Sequence, residues 1–417
     1  MDSRRGLMRH DEGTATEHEE APWSERHELV RLLEKHASNP LSFLLLSTGG
    51  WRYYWGKTTP GCIGYLEAHR MAVVWGDPIC ALEDRGALLR EFGDAMKTRG
   101  VGTCFLAIEE PTAREALSQG SAVLKVGEEP VFDLRSWQRP RGDRGKRLRW
   151  SLNKAAKANI RICEYRPGDG RDSALEARIR VVQSAWEGSL GRMPTESFLR
   201  TAPLAEAERK RIFLAHRGDV LEAVLACAPV YGRDGWYLED MIRVPEASQG
   251  ATELLTVTAL ESLAASGAAF ASIGIAALRG SEEQIDRRAR WLTWALTLIF
   301  HRLDSRFHFA SLALYKSKFQ PTAWEPRFVS LSSAWPSIRL FRAVLAVLDP
   351  DAGSTESRPA GGLPSFGRRL IAYPQAIAGI LASLTMLEAH HLSLGQQAAG
   401  FIGALLVWVG GVSLRND

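Results

Sequence analysis

The chain has 417 residues, a formal net charge of +4 and 45% hydrophobic residues, enough for two globular domains or one large double domain. Five cysteines, Cys62, Cys80, Cys104, Cys163 and Cys227, stand alone, with no CxxC pair and no histidine at ligand spacing. That pattern argues against a zinc site and for reduced, mostly buried thiols in a cytoplasmic compartment, and the polar first 25 residues form no signal peptide.

Residues 1–24 read as a disordered tail. Residues 25–37 predict a short amphipathic helix with Leu29, Leu32 and Leu33 on one side. Strands are expected over 42–48, 51–56, 62–68 and 71–76, with Gly49-Gly50 and Thr59-Pro60-Gly61 as turns and Gly76-Asp77-Pro78 closing the last strand. A helix over 83–99, a strand over 102–108, a helix over 111–119 and strands over 121–134 complete a first lobe, 25–135.

The segment 136–158 is the basic connector. From Arg139 to Arg161 there are nine Lys or Arg and one acid, Asp143. Leu148 and Leu152, one turn apart, predict a helix over 143–158 that buries a narrow stripe and turns Arg144, Lys146, Arg147, Arg149, Lys154 and Lys157 outward. A second lobe, 159–335, repeats the order of elements, which suits a duplicated fold. Its strands fall at 160–165, 211–216, 221–232, 236–243 and 269–275, its helices at 172–188, 251–266 and 281–303, and it closes with 307–331.

A short apolar helix over 338–348 leads to a Pro/Gly/Ser-rich linker, so that 336–366 joins the lobes to the C-terminus. Leu370–Leu387 and Ala398–Leu414 are then uncharged and apolar, separated by polar EAHHLSLGQQ. Each is near the lower length limit for crossing a bilayer, and 367–417 reads as a transmembrane helical hairpin. Arg368, Arg369 and Arg415 flank the spans and put both ends of the hairpin, and the region before it, on the cytoplasmic side of the membrane.

WGDP (75–78), GEEPVFDL (127–134), GKRLRWSLNKAAKA (145–158), LEDMIR (238–243) and YKSKFQPTAWEPRF (315–328) together resemble the C-terminal domain of the bacterial aminoacyl-phosphatidylglycerol synthases, the multiple peptide resistance factor family. The resemblance runs from about 41 to 331. It implies an α/β (α+β) fold of two GNAT-like lobes joined by the basic helix. It also implies transfer of an aminoacyl group from aminoacyl-tRNA to the glycerol hydroxyl of phosphatidylglycerol. The family's large polytopic membrane domain does not precede this region, and EGSLGRMPTESF (187–198) matches poorly.

An aminoacyl-tRNA ester is already activated, so its transfer needs no metal and no nucleotide cofactor. It needs a carboxylate, cations near the carbonyl and a surface for phosphates. The resemblance assigns Asp240 and Arg243 to an Asp-x-x-Arg motif. Asp240 either holds the substrate ammonium or accepts the acceptor proton, and Arg243 binds phosphate; alternatively they form a structural ion pair. Lys316 is expected to stabilise the oxyanion or a lipid phosphate, sharing one face of an extended segment with Lys318. Glu325 and Arg327, in the same matching segment, are expected at the substrate. Glu128 and Glu129 either bind a cationic, lysyl-like aminoacyl side chain or pair with the connector helix. Arg147, Arg149 and Lys154 of that helix are expected to contact the tRNA backbone or anionic lipid headgroups. An acyl-CoA-dependent N-acyltransferase is the second reading, although EASQGATELL carries Gly250 as its only glycine. A non-catalytic lipid- or RNA-binding module is the third.

Overall fold

The computed structural model describes residues 23–47, 49–189, 201–277, 279–281, 283–286, 309–332, 340 and 343. Helix α1 (Trp23–His36) buries Leu29 and Leu33. The apolar run 42–48 is not the expected strand. It is a 3-10 turn (Pro40–Phe43) continuing into helix α2 (Leu44–Ser47). Pro40 opens the turn and the Asn39 side-chain oxygen accepts from the Leu41 N–H at 3.0 Å, so local capping overrides strand preference.

Strands β1 (Arg52–Trp55), β2 (Cys62–Ala68) and β3 (Met71–Trp75) form an antiparallel meander. Helix α3 (Arg85–Thr98) crosses to β4 (Gly102–Ile108), parallel to β3. The Asp77 carboxylate at the end of β3 accepts from Asn39 Nδ2 at 2.5 Å and from the Glu109 N–H at 3.2 Å, which fixes that turn. Helix α4 (Glu110–Ser118) leads to β5 (Ala122–Asp133), and helix α5 (Lys146–Lys157) follows.

The second half begins with β6 (Ile160–Tyr165) and helix α6 (Ser173–Ser189). Strands β7 (Arg211–Arg217), β8 (Val220–Val230) and β9 (Gly235–Arg243) then form a second antiparallel meander with β6. Helix α7 (Ala251–Ala265) crosses to β10 (Phe270–Ser272), parallel to β9, and β11 (Ala276–Ala277) follows. Helix α8 (Phe309–Ser317) and strand β12 (Ala323–Leu331) complete the described fold. Each half therefore runs meander, crossover helix, parallel strand.

The lobes expected over 25–135 and 159–335 share strands across their boundary. All twelve strands belong to one sheet, ordered β1-β2-β3-β4-β12-β5-β10-β9-β8-β7-β6, with β11 also on β5. β12, the last strand of the second half, lies between β4 and β5 of the first. In exchange, α1 packs its apolar side with Ala228 and Tyr231 of the second half, and the Gly232 N–H donates to the Ala37 carbonyl at 2.8 Å. The described fold is interlocked on both sides: Phe328 of β12 joins the core of the first half, and Ala228 of the second half joins the core under α1.

Cys62, Cys80, Cys104 and Cys227 are buried thiols and Cys163 is exposed. Of the expected helix 281–303, residues 283–286 are not helical and 287–303 lie outside the described residues. The tail 1–22, the hairpin 367–417 and all of 338–348 but positions 340 and 343 also lie outside them. Among the described residues no helix is long and apolar enough to cross a membrane.

Candidate active site

The site is built on an irregularity in β9. Ala226 of β8 faces Asp240, but the next residue, Cys227, faces Leu238, so Glu239 is one residue too many on its strand. Regular pleating sends neighbouring side chains to opposite faces; a bulge at Glu239 turns Glu239 and Asp240 to the same side. Lys210 pairs with Glu239 at 2.7 Å and donates to the Ala202 carbonyl at 3.1 Å. The Ala202 N–H donates to Asp240 at 2.9 Å. Leu238 and Met241 meanwhile turn to the α7 side and join its core.

Two adjacent carboxylates thus share one buried cation. Asp240 is only 8% exposed. Burial pushes its carboxyl up to about 7, and Glu239 and, more weakly, Glu187 of α6 push the same way against the pull of Lys210. A carboxyl poised there takes up or releases a proton near neutrality.

The sheet opens beside this bulge. β10 pairs with β9 only from Phe270↔Gly235 to Ser272↔Tyr237. It then leaves, and β11 pairs with β5 at Glu128 and Gly127. Among the described residues no strand covers the edge of β9 beyond Tyr237. Gly274 makes the turn with φ +77°, and a side chain there would meet the Tyr237 hydroxyl at 3.0 Å. Tyr237 has no hydrogen-bond partner among the described residues. Its ionisation is pushed far up by burial and by Glu129, Glu239 and Asp240, so it stays a neutral donor.

Lys316 closes the other wall. It sits in the last turn of α8, not in an extended segment, so it does not share a strand face with Lys318. Its ammonium donates to the Gly274 carbonyl at 2.8 Å and the Ile275 carbonyl at 2.7 Å, which leaves one N–H for another acceptor. Burial lowers it to about 8, against the attraction of Glu129. Lys318 turns elsewhere and pairs with Glu253, in the first turn of α7, at 2.9 Å.

Glu128 and Glu129 do not pair with the connector helix. Glu129 is buried, accepts from Arg327 Nε at 2.6 Å and from the Ser272 hydroxyl. Arg327 also reaches Glu325 at 3.2 Å, and Arg233 grips Glu325 through two hydrogen bonds of 2.8 and 2.6 Å. Glu128 pairs with Lys125 and with Arg279, each at 2.9 Å. Glu129, Glu325 and Arg327 form a neutralised scaffold under the opening. Arg243 is exposed at the end of β9 and close enough to Tyr315 to affect its ionisation. It shares the Met241 side of the strand and is not paired with Asp240, so the structural ion pair considered for these two residues is absent.

Lys146, Arg147, Arg149, Lys154 and Lys157 are exposed on α5 and Arg144 is exposed in the turn before it, while Leu148, Ser151 and Ala155 are buried. The buried side rests on the start of α7: a Cβ on Gly250, which has φ +90°, would stand 2.0 Å from the Ser151 carbonyl oxygen. The Ser151 hydroxyl donates to Glu253 at 3.1 Å. The helix terminus where an acyl-CoA pyrophosphate would lie is therefore covered by α5. A separate pocket of about 440 Å³ lies toward the other end of β9, lined by Arg166, Arg211 and Trp236 among others; Glu164 already pairs with both arginines.

Sequence reasoning missed Lys210, Glu239 and Tyr237. Glu239 lies within LEDMIR and Tyr237 just before it, but nothing in the local pattern announces a bulge.

Two meanders, each with a crossover helix to a parallel strand, define a mixed α/β GNAT-like fold. Residues 30–330 match the family model described as phosphatidylglycerol lysyltransferase, C-terminal, and the chain belongs to that family of aminoacyltransferases. Among solved structures, it is similar to a C-terminal domain described as that of a lysylphosphatidylglycerol synthetase from Agrobacterium fabrum. That match has a TM-score of 0.64 and 16% identity, covering 80% of this chain and 99% of the other. L-PGS from Bacillus licheniformis matches with a TM-score of 0.64 and 18% identity over 78% and 96% of the two chains. A conserved protein of unknown function from Bacteroides thetaiotaomicron matches with a TM-score of 0.52 and 11% identity over 75% and 97%. No curated protein matches the chain.

Proposed function

We propose that the protein transfers a lysyl-like aminoacyl group from aminoacyl-tRNA to the headgroup of an anionic membrane phospholipid such as phosphatidylglycerol. The reaction takes place at the cytoplasmic face of a bacterial inner membrane, where the C-terminal hairpin tethers the chain. The observation that carries this reading is the buried Glu239–Asp240 pair, served by one cation among the described residues, Lys210, beside the opening between β9 and β10. Such a site suits a ligand that brings its own ammonium group.

In this reading Asp240 accepts the proton of the acceptor hydroxyl as its oxygen attacks the ester carbonyl. The third N–H of Lys316 and the Tyr237 hydroxyl stabilise the oxyanion. Collapse breaks the ester bond, and the proton held by Asp240 passes to the departing ribose oxygen. Arg243 binds phosphate at the exposed end of β9. Glu129, Glu325 and Arg327 hold the wall that carries Lys316 and Tyr237. The α5 cations attract an anionic partner. The covered start of α7 counts against an acyl-CoA donor.

The test is a cell-free assay with labelled lysyl-tRNA and phosphatidylglycerol vesicles. Labelled lipid is expected, absent after ribonuclease treatment and absent with Lys316→Ala. Labelled product from acetyl-CoA but not from lysyl-tRNA would overturn the reading.

A further inference from the structure

We propose that the outer face of α5 is a docking surface for an anionic lipid bilayer, with Trp150 as its interfacial anchor. The proposal rests on the acceptor being a membrane lipid and adds how the soluble region meets that membrane.

Trp150 is 52% exposed, a large apolar area for a helix residue with cations on both sides. Helical spacing puts Lys146, Arg147, Lys154 and Lys157 around it, opposite the buried Leu148, Ser151 and Ala155. Among the described residues none of these four cations meets a carboxylate, whereas Arg139, just before the helix, is paired with Glu261 at 2.6 Å. The charge on this face has no balance within the described protein and is complementary to an anionic surface.

Two macromolecules carry such charge, and the indole distinguishes them. The Lys154 ammonium lies 5.3 Å from the ring centroid of Trp150, over its face. That covers one of the two ring faces a base would stack on. A tryptophan with ammonium groups beside it is instead the pairing that settles at headgroup level, the ring among the acyl-chain ends and the charges among phosphates. Twelve helical residues span about 18 Å, long enough to lie along several headgroups. Position also fits. Ser151, next to Trp150 but on the buried side of α5, contacts the start of α7, the helix that follows β9, so α5 lies beside the end of the strand that carries Asp240 with its outer face turned away from α7.

The test uses the full chain in lipid nanodiscs, without tRNA or any donor. A fluorophore is placed at Asn153→Cys in a Cys163→Ser background, the other cysteines being buried. Spin-labelled lipid then reports contact by quenching. Strong quenching is expected in discs containing phosphatidylglycerol and little in pure phosphatidylcholine discs. Each cation removed lowers the docked population about fivefold, so K146E/R147E/K154E/K157E brings the signal to the phosphatidylcholine level. Trp150→Ser, an exposed change that leaves the core intact, gives partial loss. Equal quenching in both discs, or quenching indifferent to charge reversal, overturns the proposal. So does a fluorophore shielded by deacylated tRNA but unaffected by anionic discs, which would make this an RNA face. Because no aminoacyl donor is present, failure of the transfer reading would appear only in the product assay.

Discussion

Replacing Asp240 with Asn should stabilise the fold while abolishing transfer, and the gain should depend on pH. The folded protein holds this carboxyl at about 7 against an ordinary 3.8, chiefly through burial and then Glu239. A raised carboxyl makes the folded state bind its proton more tightly than the unfolded state does. Its stabilising effect is complete below 3.8 and is lost as pH rises through 7. The ionised group therefore costs the folded state about 2 kcal/mol at pH 5 and about 4 kcal/mol at pH 8. Asn has nearly the same shape, keeps an oxygen for the Ala202 N–H and carries no charge. Calorimetry of Asp240→Asn beside the parent protein should show Tm gains of roughly 2–3 °C at pH 5 and 6–8 °C at pH 8. Turnover in the lysyl-tRNA assay should fall at least about a hundredfold at both pH values. A gain that does not change with pH, or a loss of stability at pH 8, would refute the electrostatic account. Full activity in the variant would remove Asp240 from the chemistry.

The pH–rate profile should be bell-shaped, rising as Asp240 loses its proton near 7 and falling as Lys316 loses its own near 8. Lys316→Arg keeps a permanent charge, so any residual rate should lose the alkaline limb. Arg327→Met leaves the buried Glu129 without its partner and should cost about 3–5 kcal/mol in chemical denaturation. Adding Glu129→Gln should restore much of that loss, and failure to do so would mean the pair is not the reason. Gly250→Ala places a methyl 2.0 Å from the Ser151 carbonyl on a left-handed backbone and should destabilise by more than about 2 kcal/mol. Faster proteolysis within 139–145 would show that α5 has lifted from α7.

Much of the architecture is legible in the chain itself. Leu88, Leu89, Phe92 and Met96 at helical spacing give α3, and Leu148 with Leu152 gives the helix α5 beneath its cations, although Leu148, Ser151 and Ala155 are its buried residues and Leu152 is only partly buried. These succeed because periodicity records which side faces apolar surroundings. The run 42–48 reads as a strand because apolar content alone does not separate a short buried strand from a short buried helix; Asn39 and Pro40 decide it. Spacing alone puts Lys316 and Lys318 on one extended face, whereas α8 carries Lys316 in its last turn.

What the sequence determined, then, is the order of elements, the cationic helix and the family to which the chain belongs. Tertiary structure decided the rest. Strand pairing is non-local, so only the assembled sheet shows β12 crossing into the first half and α1 packing on the second. A bulge exists only relative to its partner strand, and it is the slip against β8 that turns Glu239 and Asp240 to one side. Lys210, twenty-nine and thirty residues before them in the chain, becomes their counter-ion only when β7, β8 and β9 lie side by side.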